Sequence, residues 1–211
     1  MLMLMNPFRR IFMQTRSTRN TKKMVGIAIL GAMSFILINF SFPIVPGVSF
    51  LKVDFSDMPS IVGMFLYGPI GGIAIAFIRS LLHYVQTGGD AGFPIGDFTS
   101  FIASVSYLLP LYWVVRKKGT ALNSLILGSV AGTLALTAVL SVLNYYVVAP
   151  LYMMVLNFDV GPMMQYVLYG VLPFNLAKGF LISVVFIVVF GKLKPWLLRN
   201  GLYSLTAANN K

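Results

Sequence analysis

The chain has 211 residues, of which 58% are hydrophobic and only 10% carry a formal charge. Soluble domains average about 25% charged residues, so this composition excludes an ordinary soluble enzyme. Sixteen Lys and Arg residues oppose five Asp and no Glu, which gives a net charge of +11. In a membrane protein such a surplus indicates which side of the bilayer each loop occupies, and does not indicate a nucleic-acid partner. The sequence has no Cys, which excludes disulfides, thiolate metal sites and Cys nucleophiles.

The first apolar segment covers about residues 24–42 and follows a basic stretch that holds six cations. A cleaved signal peptide is the alternative interpretation of this start, but the segment is long for such a peptide and more segments follow it. Two prolines then end the predicted helix. A structured loop that mixes apolar and charged residues is expected from Gly47 to Asp57.

Five further apolar segments follow, each separated from the next by breaks or by charged turns. They are predicted at about residues 58–67, 73–86, 98–115, 122–148 and 166–190. The second segment is short for a complete span, since about 20 helical residues are needed to cross a bilayer. Pro150 is expected to end the fifth helix, and residues 151–165 are expected to form a second large loop.

The distribution of charge orients these six segments. If each crosses the bilayer, thirteen of the sixteen cations lie on the side of the N-terminus and all five aspartates lie on the other side. The positive-inside rule then places both termini in the cytoplasm and both large loops outside. We therefore predict an all-α integral membrane protein with six transmembrane helices. Its parts are a basic cytoplasmic tail (1–23), a membrane domain (24–195) and a cytoplasmic C-terminal tail (196–211).

Three polar residues interrupt the apolar helices, namely Asn144, Asn175 and Lys178. Asn175 and Lys178 share one helical face, because they are three residues apart. An intramembrane Lys costs about 2.5–3.5 kcal/mol on insertion scales and normally faces a cavity or a partner. Two interpretations remain open from the residues alone. The three can form a ligand pocket that opens outward, or Lys178 can pair with an external Asp while the Asn side chains bond between helices.

Arg79 and His83 lie four residues apart on one face of the third segment. A single His without Cys or Glu partners cannot complete a metal site, so no metal is expected. Pairing of Arg79 with an Asp near the outer surface is favoured over catalysis, and no catalytic residue is predicted. The sequence lacks the acids and bases that a membrane-embedded enzyme needs. It also lacks the inverted repeat and the midplane carboxylate expected of a secondary transporter.

Four motifs match those of a known family in both order and spacing. They are LKVDFSDMPS at residues 51–60, Gly68-Pro69, LNYY at 143–146 followed by Pro150-Leu151-Tyr152, and PFNLAKG at 173–179. Over about residues 24–195 the chain thus resembles the riboflavin-binding S component of energy-coupling factor (ECF) transporters. It departs from the pattern of that family at Arg79-Ser80 and at His83.

The resemblance implies a riboflavin pocket that opens to the outside. Its implied ligands for the flavin ring are Asn144, Asn175 and Lys178. The loop around Leu51, Asp54 and Phe55 is implied to cover the pocket. Aromatic candidates to pack the ring are Phe55, Tyr84, Tyr145 and Phe174.

The resemblance also implies partners. Ala28 and Ala32 lie four residues apart on the first helix, a spacing that lets another helix approach closely. In the family this alanine motif docks on a transmembrane coupling subunit, and two cytoplasmic ATPases complete the transporter. The implied protein is a multi-pass subunit of the prokaryotic cell membrane, with riboflavin as its transported substrate and no cofactor. The alternatives are an S component for another vitamin or a flavin phosphate and, at lower weight, a membrane-embedded enzyme.

Overall fold

The computed structural model describes residues 7–43, 51–156 and 159–199, and these form a helical bundle. Within these ranges the helices are α1 (Pro7–Ile38), α2 (Asp57–Tyr67), α3 (Pro69–Thr87), α4 (Ile95–Lys118), α5 (Leu122–Leu143), α6 (Ala149–Leu156), α7 (Met163–Gln165) and α8 (Leu172–Arg199). Two short strands, β1 (Phe42–Pro43) and β2 (Lys52–Val53), pair antiparallel between α1 and α2. The first four residues of the predicted loop from Gly47 to Asp57 lie outside the described residues, and the rest contains β2 and leads into α2.

Among the described residues, four helical stretches are long and apolar enough to cross a membrane. They are Asn20–Ile38, Ile95–Lys118, Leu122–Leu156 and Met163–Pro195. The predicted all-α membrane class is therefore confirmed in its coarse form. The short segment α2 has 11 residues, which corresponds to a length of about 16 Å and about half of a bilayer core. The six-span topology and the cytoplasmic termini stay predictions.

Helix α1 begins well before the predicted span, at Pro7. Proline is tolerated in the first helical turn, where its missing N–H has no intrahelical acceptor. No glycine or further proline occurs until Gly26, so nothing in the basic stretch breaks the helix. Part of the stretch predicted as a tail is thus a helical extension of the first span.

The prediction that Pro150 ends the fifth helix is wrong. The prediction of a loop over 151–165 is wrong for residues 151–156 and 163–165, which are helical, whereas residues 159–162 are not helical. After α5 the chain continues through a π-helical turn (Asn144–Val148) into α6, and after α7 a second π-helical turn (Tyr166–Val171) leads into α8. Each π turn ends two residues before a proline, Pro150 or Pro173. Proline lacks the N–H donor and clashes with the carbonyl four residues earlier. A wider π turn removes this conflict, so the helix continues.

The apolar core lies around α2, which is almost enclosed by its neighbours. Ile61, Met64 and Phe65 of α2 are completely buried. The Phe65 ring lies 4.9 Å from Phe190 and 5.9 Å from Phe186 of α8, measured between ring centroids. This burial explains how an 11-residue helix is held inside a bundle whose other long helices face the membrane.

Candidate functional site

Two adjoining cavities lie where α4, α5, α6 and α8 meet the segment after β2. The inner cavity has a volume of about 70 Å³ and is lined by Leu51, Gly96, Thr99, Ser100, Ala103, Leu140, Asn144, Val148, Tyr152, Phe174, Asn175 and Lys178. The second, which we call the mouth cavity, has a volume of about 310 Å³. Gly96, Ser100 and Tyr152 line both. Because exposed residues such as Lys52 and Thr87 line the mouth cavity, it opens to the protein surface.

The two asparagines of the inner cavity share one arrangement. The Asn144 side-chain nitrogen donates to the Leu140 carbonyl at 2.9 Å, and that of Asn175 donates to the Val171 carbonyl at 2.9 Å. Only an amide N–H can make these bonds, which fixes the orientation of each amide. In each case the buried Oδ1 atom has no hydrogen-bond partner among the described residues. Leaving a buried acceptor unpaired costs about 1–3 kcal/mol, so the pair is suited to a ligand that supplies donors.

The local sequence explains where these asparagines sit. Asn144 opens the first π turn, and Asn175 follows the second π turn and Pro173 within the first turn of α8. π turns of this kind occur frequently at functional sites, because they redirect side chains within a continuous helix. The two proline-linked turns thus place one amide from each helix on the same cavity.

Lys178 lies on the face of α8 that carries Asn175 and is only 6% exposed. Its Nζ atom lies 4.0 Å from Asp54 Oδ2. The other carboxylate oxygen, Asp54 Oδ1, accepts the backbone N–H of Ser56 at 2.8 Å and also the Ser56 hydroxyl. The expected pairing of Lys178 with an aspartate is therefore present, and the paired lysine also lines the inner cavity. The expectation that the Asn side chains bond between helices is wrong, since each bonds within its own helix.

Arg79 of α3 is completely buried, and its predicted pairing with an aspartate is confirmed by an ion pair with Asp57. Its Nη1 atom donates to Asp57 Oδ1 at 2.8 Å and to the Ser56 hydroxyl at 2.9 Å. Its Nη2 atom donates to the hydroxyls of Ser100 and Ser104 on α4 at 3.0 and 2.9 Å. We call this set of residues the arginine hub.

The arginine hub is connected to the inner cavity through two serines, Ser100, which lines the cavity itself, and Ser56. The Ser56 hydroxyl accepts from Arg79 and donates to Asp54, whose carboxylate faces Lys178. The Ser56 carbonyl also accepts the hydroxyl of Ser34 on α1. The segment after β2 is thus fixed to α1, α3 and α8 at once.

Carboxylates with fixed partners line the mouth cavity. His83 Nδ1 and Asp97 Oδ1 are 2.6 Å apart. Asp90 Oδ2 accepts the Tyr152 hydroxyl at 2.8 Å and the Gly96 backbone N–H at 2.9 Å. These contacts join the ends of α3, α4 and α6 around the opening of the pocket.

The structure does not bring every predicted ring-packing residue to the cavities. Among the described lining residues, Phe174 is present, whereas Tyr84, Phe55 and Tyr145 are not. The Tyr84 hydroxyl lies 3.4 Å from the Gly92 carbonyl, and Phe55 packs against the apolar core. Tyr145 packs on Tyr146 at 4.8 Å between centroids.

The sequence reasoning did not single out the contribution of α4. Gly96, Ser100 and Ala103 line the inner cavity with spacings of four and three residues. Small residues at this helical spacing leave room along one face of a helix. That pattern is the signal by which they could have been found.

Ala28 and Ala32 are both exposed on α1. They share a face with exposed apolar residues that follow the same helical period, namely Met24, Val25, Ile29, Met33 and Ile36. This face therefore presents an apolar strip with two small residues at its centre, available to lipid or to another helix.

Comparison with known proteins gives consistent results. The family model described as ECF transporter, substrate-specific component, matches residues 22–190. The chain is 39% identical over 181 residues to the riboflavin transporter FmnP of Bacillus subtilis (strain 168), which covers 83% of this chain and 94% of that protein. It is 38% identical over 197 residues to the riboflavin transporter RibU of Staphylococcus aureus (strain TCH60), covering 92% of this chain and all of that one.

A solved structure is also similar. It is described as the structure and mechanism of the S component of a bacterial ECF transporter, with a TM-score of 0.71 and 38% sequence identity. The match covers 84% of this chain and 98% of that one.

Proposed function

The chain belongs to the substrate-specific component family of ECF transporters, and from this premise we propose that it binds riboflavin outside a bacterial cell for uptake. The family is one of transport components, so the bound small molecule is cargo and neither cofactor nor reactant. The observation that carries the choice of ligand is the pair of partnerless amide oxygens of Asn144 and Asn175 beside Lys178.

The pyrimidine edge of a flavin matches the chemistry of this group. That edge presents an imide N–H between two carbonyl oxygens. One of the two Asn Oδ1 atoms accepts this single N–H, while the second N–H of each amide and the Lys178 ammonium donate to the carbonyls. The remaining donors that riboflavin carries are the hydroxyls of its ribityl chain. Low local dielectric strengthens each of these bonds. A ligand without this edge leaves the buried groups unpaired, which is the basis of selectivity.

The volumes support an arrangement of the ligand across both cavities. The inner cavity, at about 70 Å³, is far below the roughly 300–1,000 Å³ of small-molecule sites, whereas the mouth cavity reaches that range. We place the imide edge at the asparagines and the hydroxylated ribityl chain toward the mouth cavity. Leu51, which lines the inner cavity, is the residue whose movement admits the ring.

Ligand titration of the purified protein tests this proposal. Riboflavin fluorescence should be quenched on binding, and Asn144→Ala and Asn175→Ala should each weaken binding about 10- to 100-fold, equivalent to about 1.4–2.8 kcal/mol. Asn123→Ala is the matched control, because Asn123 is exposed near the start of α5, away from the cavities. Unchanged affinity in both cavity variants removes the asparagines from the site, and no quenching at micromolar riboflavin overturns the proposal.

A site for another vitamin is the alternative within the same family. Competition of riboflavin by a panel of unlabelled vitamins distinguishes the two. Displacement by a compound that lacks an imide edge, at lower concentration than riboflavin itself, would favour the alternative.

The partners and the topology belong to the same proposal. We infer six crossings with cytoplasmic termini, the division 1–23, 24–195 and 196–211, and assembly with a transmembrane coupling subunit and two ATPases. The exposed positions of Ala28 and Ala32 support docking of α1 on the coupling subunit. Replacing both by Trp should abolish riboflavin uptake by cells and leave binding intact.

The matched control for docking is Ala138→Trp, since Ala138 is an exposed alanine on α5. If uptake by the α1 variant equals that of the control, α1 is not the docking helix.

A further inference from the structure

The mouth cavity carries an excess of negative charge. Three of the five aspartates, Asp54, Asp90 and Asp97, line it. Among its described lining residues the only Lys or Arg is Lys52, whose side chain is exposed to water. His83 also lines the cavity and is bonded to Asp97. An anion that enters this cavity therefore meets fixed carboxylates, one solvated Lys and a histidine that already has a carboxylate partner.

The buried cations are already compensated. Lys178 faces Asp54, and Arg79 is paired with Asp57 at 2.8 Å. Asp54 is held in place by the N–H and hydroxyl of Ser56. A negatively charged ligand thus finds no uncompensated buried Lys or Arg beside the cavities in the part of the chain that the structure describes. Displacing Asp54 from Lys178 would also break the bonds of Asp54 to Ser56.

The start of α4, which could otherwise attract an anion, is also occupied. A helix N-terminus presents free N–H groups and a positive dipole end, both of which favour anions. Here the Gly96 N–H is bonded to Asp90 Oδ2 at 2.9 Å, and Asp97 lies in the first turn of the helix. The protein has placed its own carboxylates where a phosphate would bind.

We infer that Asp90 and Asp97 are specificity-determining residues that exclude phosphorylated flavins and restrict the cargo to uncharged riboflavin. The inference rests on the proposed function, because the phosphate of riboflavin 5′-phosphate sits at the end of the ribityl chain that points to the mouth cavity. Both carboxylates are fixed by bonds from other helices, to Tyr152 of α6 and to His83 of α3. They therefore cannot turn away from a phosphate without losing those partners.

The test compares three ligands on the purified wild-type protein by fluorescence quenching. These are riboflavin, riboflavin 5′-phosphate and the 5′-acetyl ester of riboflavin, which enlarges the chain without a charge. Riboflavin 5′-phosphate should bind at least about tenfold more weakly than riboflavin, whereas the ester should bind within about threefold of it. Equal binding of the phosphate overturns the inference. Equal rejection of phosphate and ester also overturns it, because that result indicates exclusion by size.

Variants then assign the effect to the two carboxylates. In Asp90→Asn/Asp97→Asn the dissociation constant of riboflavin 5′-phosphate, divided by that of riboflavin, should fall by about threefold or more, because the two negative charges are removed. Each Asn keeps an acceptor oxygen for the neighbours of the original carboxylate. Asp159→Asn is the control, because Asp159 is exposed and is not among the described residues that line either cavity. If the ratio is unchanged in the double variant and riboflavin still binds, the inference is overturned and the proposed function stands. Loss of binding for all three ligands in the wild type overturns both.

Discussion

The apolar core around Phe65 and the arginine hub are both buried, but they are built in opposite ways. In the core, Phe65, Phe186 and Phe190 pack ring against ring with no polar atom to satisfy. In the hub, the Arg79 charge is matched by Asp57 and three serine hydroxyls, including that of Ser56. The first type of region gains stability from burial. The second is stable only while each partner is present.

The inner cavity differs from both regions in degree, because two of its side chains have a buried oxygen without a described partner, whereas in the hub Arg79 lacks a partner only at Nε. Asn144 and Asn175 each use one N–H within their own helix and leave Oδ1 without a described partner. A protein under selection for stability alone would remove such atoms or pair them. Arg79 Nε and the hydroxyls of Ser60, Ser129 and Ser141 also have no partner among the described residues. It is therefore the position of the two asparagines on the inner cavity that supports the proposal that they bind a ligand.

The largest effect is expected from breaking the arginine hub. Arg79→Met removes the charge but keeps an unbranched side chain, and it leaves Asp57 buried without its cation. Loss of one partner of a buried ion pair typically costs about 3–5 kcal/mol. The melting temperature in detergent should therefore fall by about 10 °C.

The double variant Arg79→Met/Asp57→Asn is the control for the hub. It removes both charges and should recover most of the lost stability, because an uncharged pair needs no compensation. A double variant as unstable as the single one contradicts the charge argument.

The apolar core provides the second prediction. Phe65→Ala should destabilise the protein by about 3 kcal/mol, because it leaves a cavity between α2 and α8. Riboflavin affinity at low temperature should stay within about twofold of wild type, since Phe65 does not line either cavity among the described residues. A large loss of affinity would show that the core and the site are coupled.

Much of the site could be predicted because membrane helices make polar residues conspicuous. Asn144, Asn175, Lys178 and Arg79 stand out in apolar sequence, and burying them without a reason is costly. The structure places the first three on one cavity and pairs Arg79 with an aspartate. The docking and ligand roles came from the resemblance, and they remain proposals.

The failures have local physical causes. Pro150 predicted a helix end because a proline usually breaks a helix, whereas here the preceding π turn accommodates it and the helix continues. Tyr84 is predicted to pack against the ring, but it does not line either cavity among the described residues, whereas the preceding residue, His83, lines the mouth cavity. Successive side chains on a helix point about 100° apart, so Tyr84 turns away from the cavity that His83 lines.

Substitution of Lys178 tests whether this residue binds the ligand or only neutralises Asp54. Lys178→Met should weaken riboflavin binding about 10- to 100-fold, corresponding to about 1.5–3 kcal/mol for a bond to a charged donor. Lys192→Met is the control, because Lys192 is exposed near the opposite end of α8. Adding Asp54→Asn to Lys178→Met should raise the melting temperature of that variant without restoring affinity. Restored affinity would mean that Lys178 acts only by neutralising Asp54.

The smallest effect is expected where α1 is fixed to the segment after β2. Ser34 is completely buried, and its hydroxyl donates to the Ser56 carbonyl. Ser34→Ala removes one neutral bond and should cost about 1 kcal/mol, which corresponds to a decrease of about 2–4 °C in melting temperature. Ser106→Ala on α4, at a partly exposed position, should change it less. Because the Ser56 side chain still connects Arg79 to Asp54, riboflavin affinity should change by less than about threefold. A larger loss would mean that the position of α1 controls the pocket, and so that docking on α1 and ligand binding are coupled.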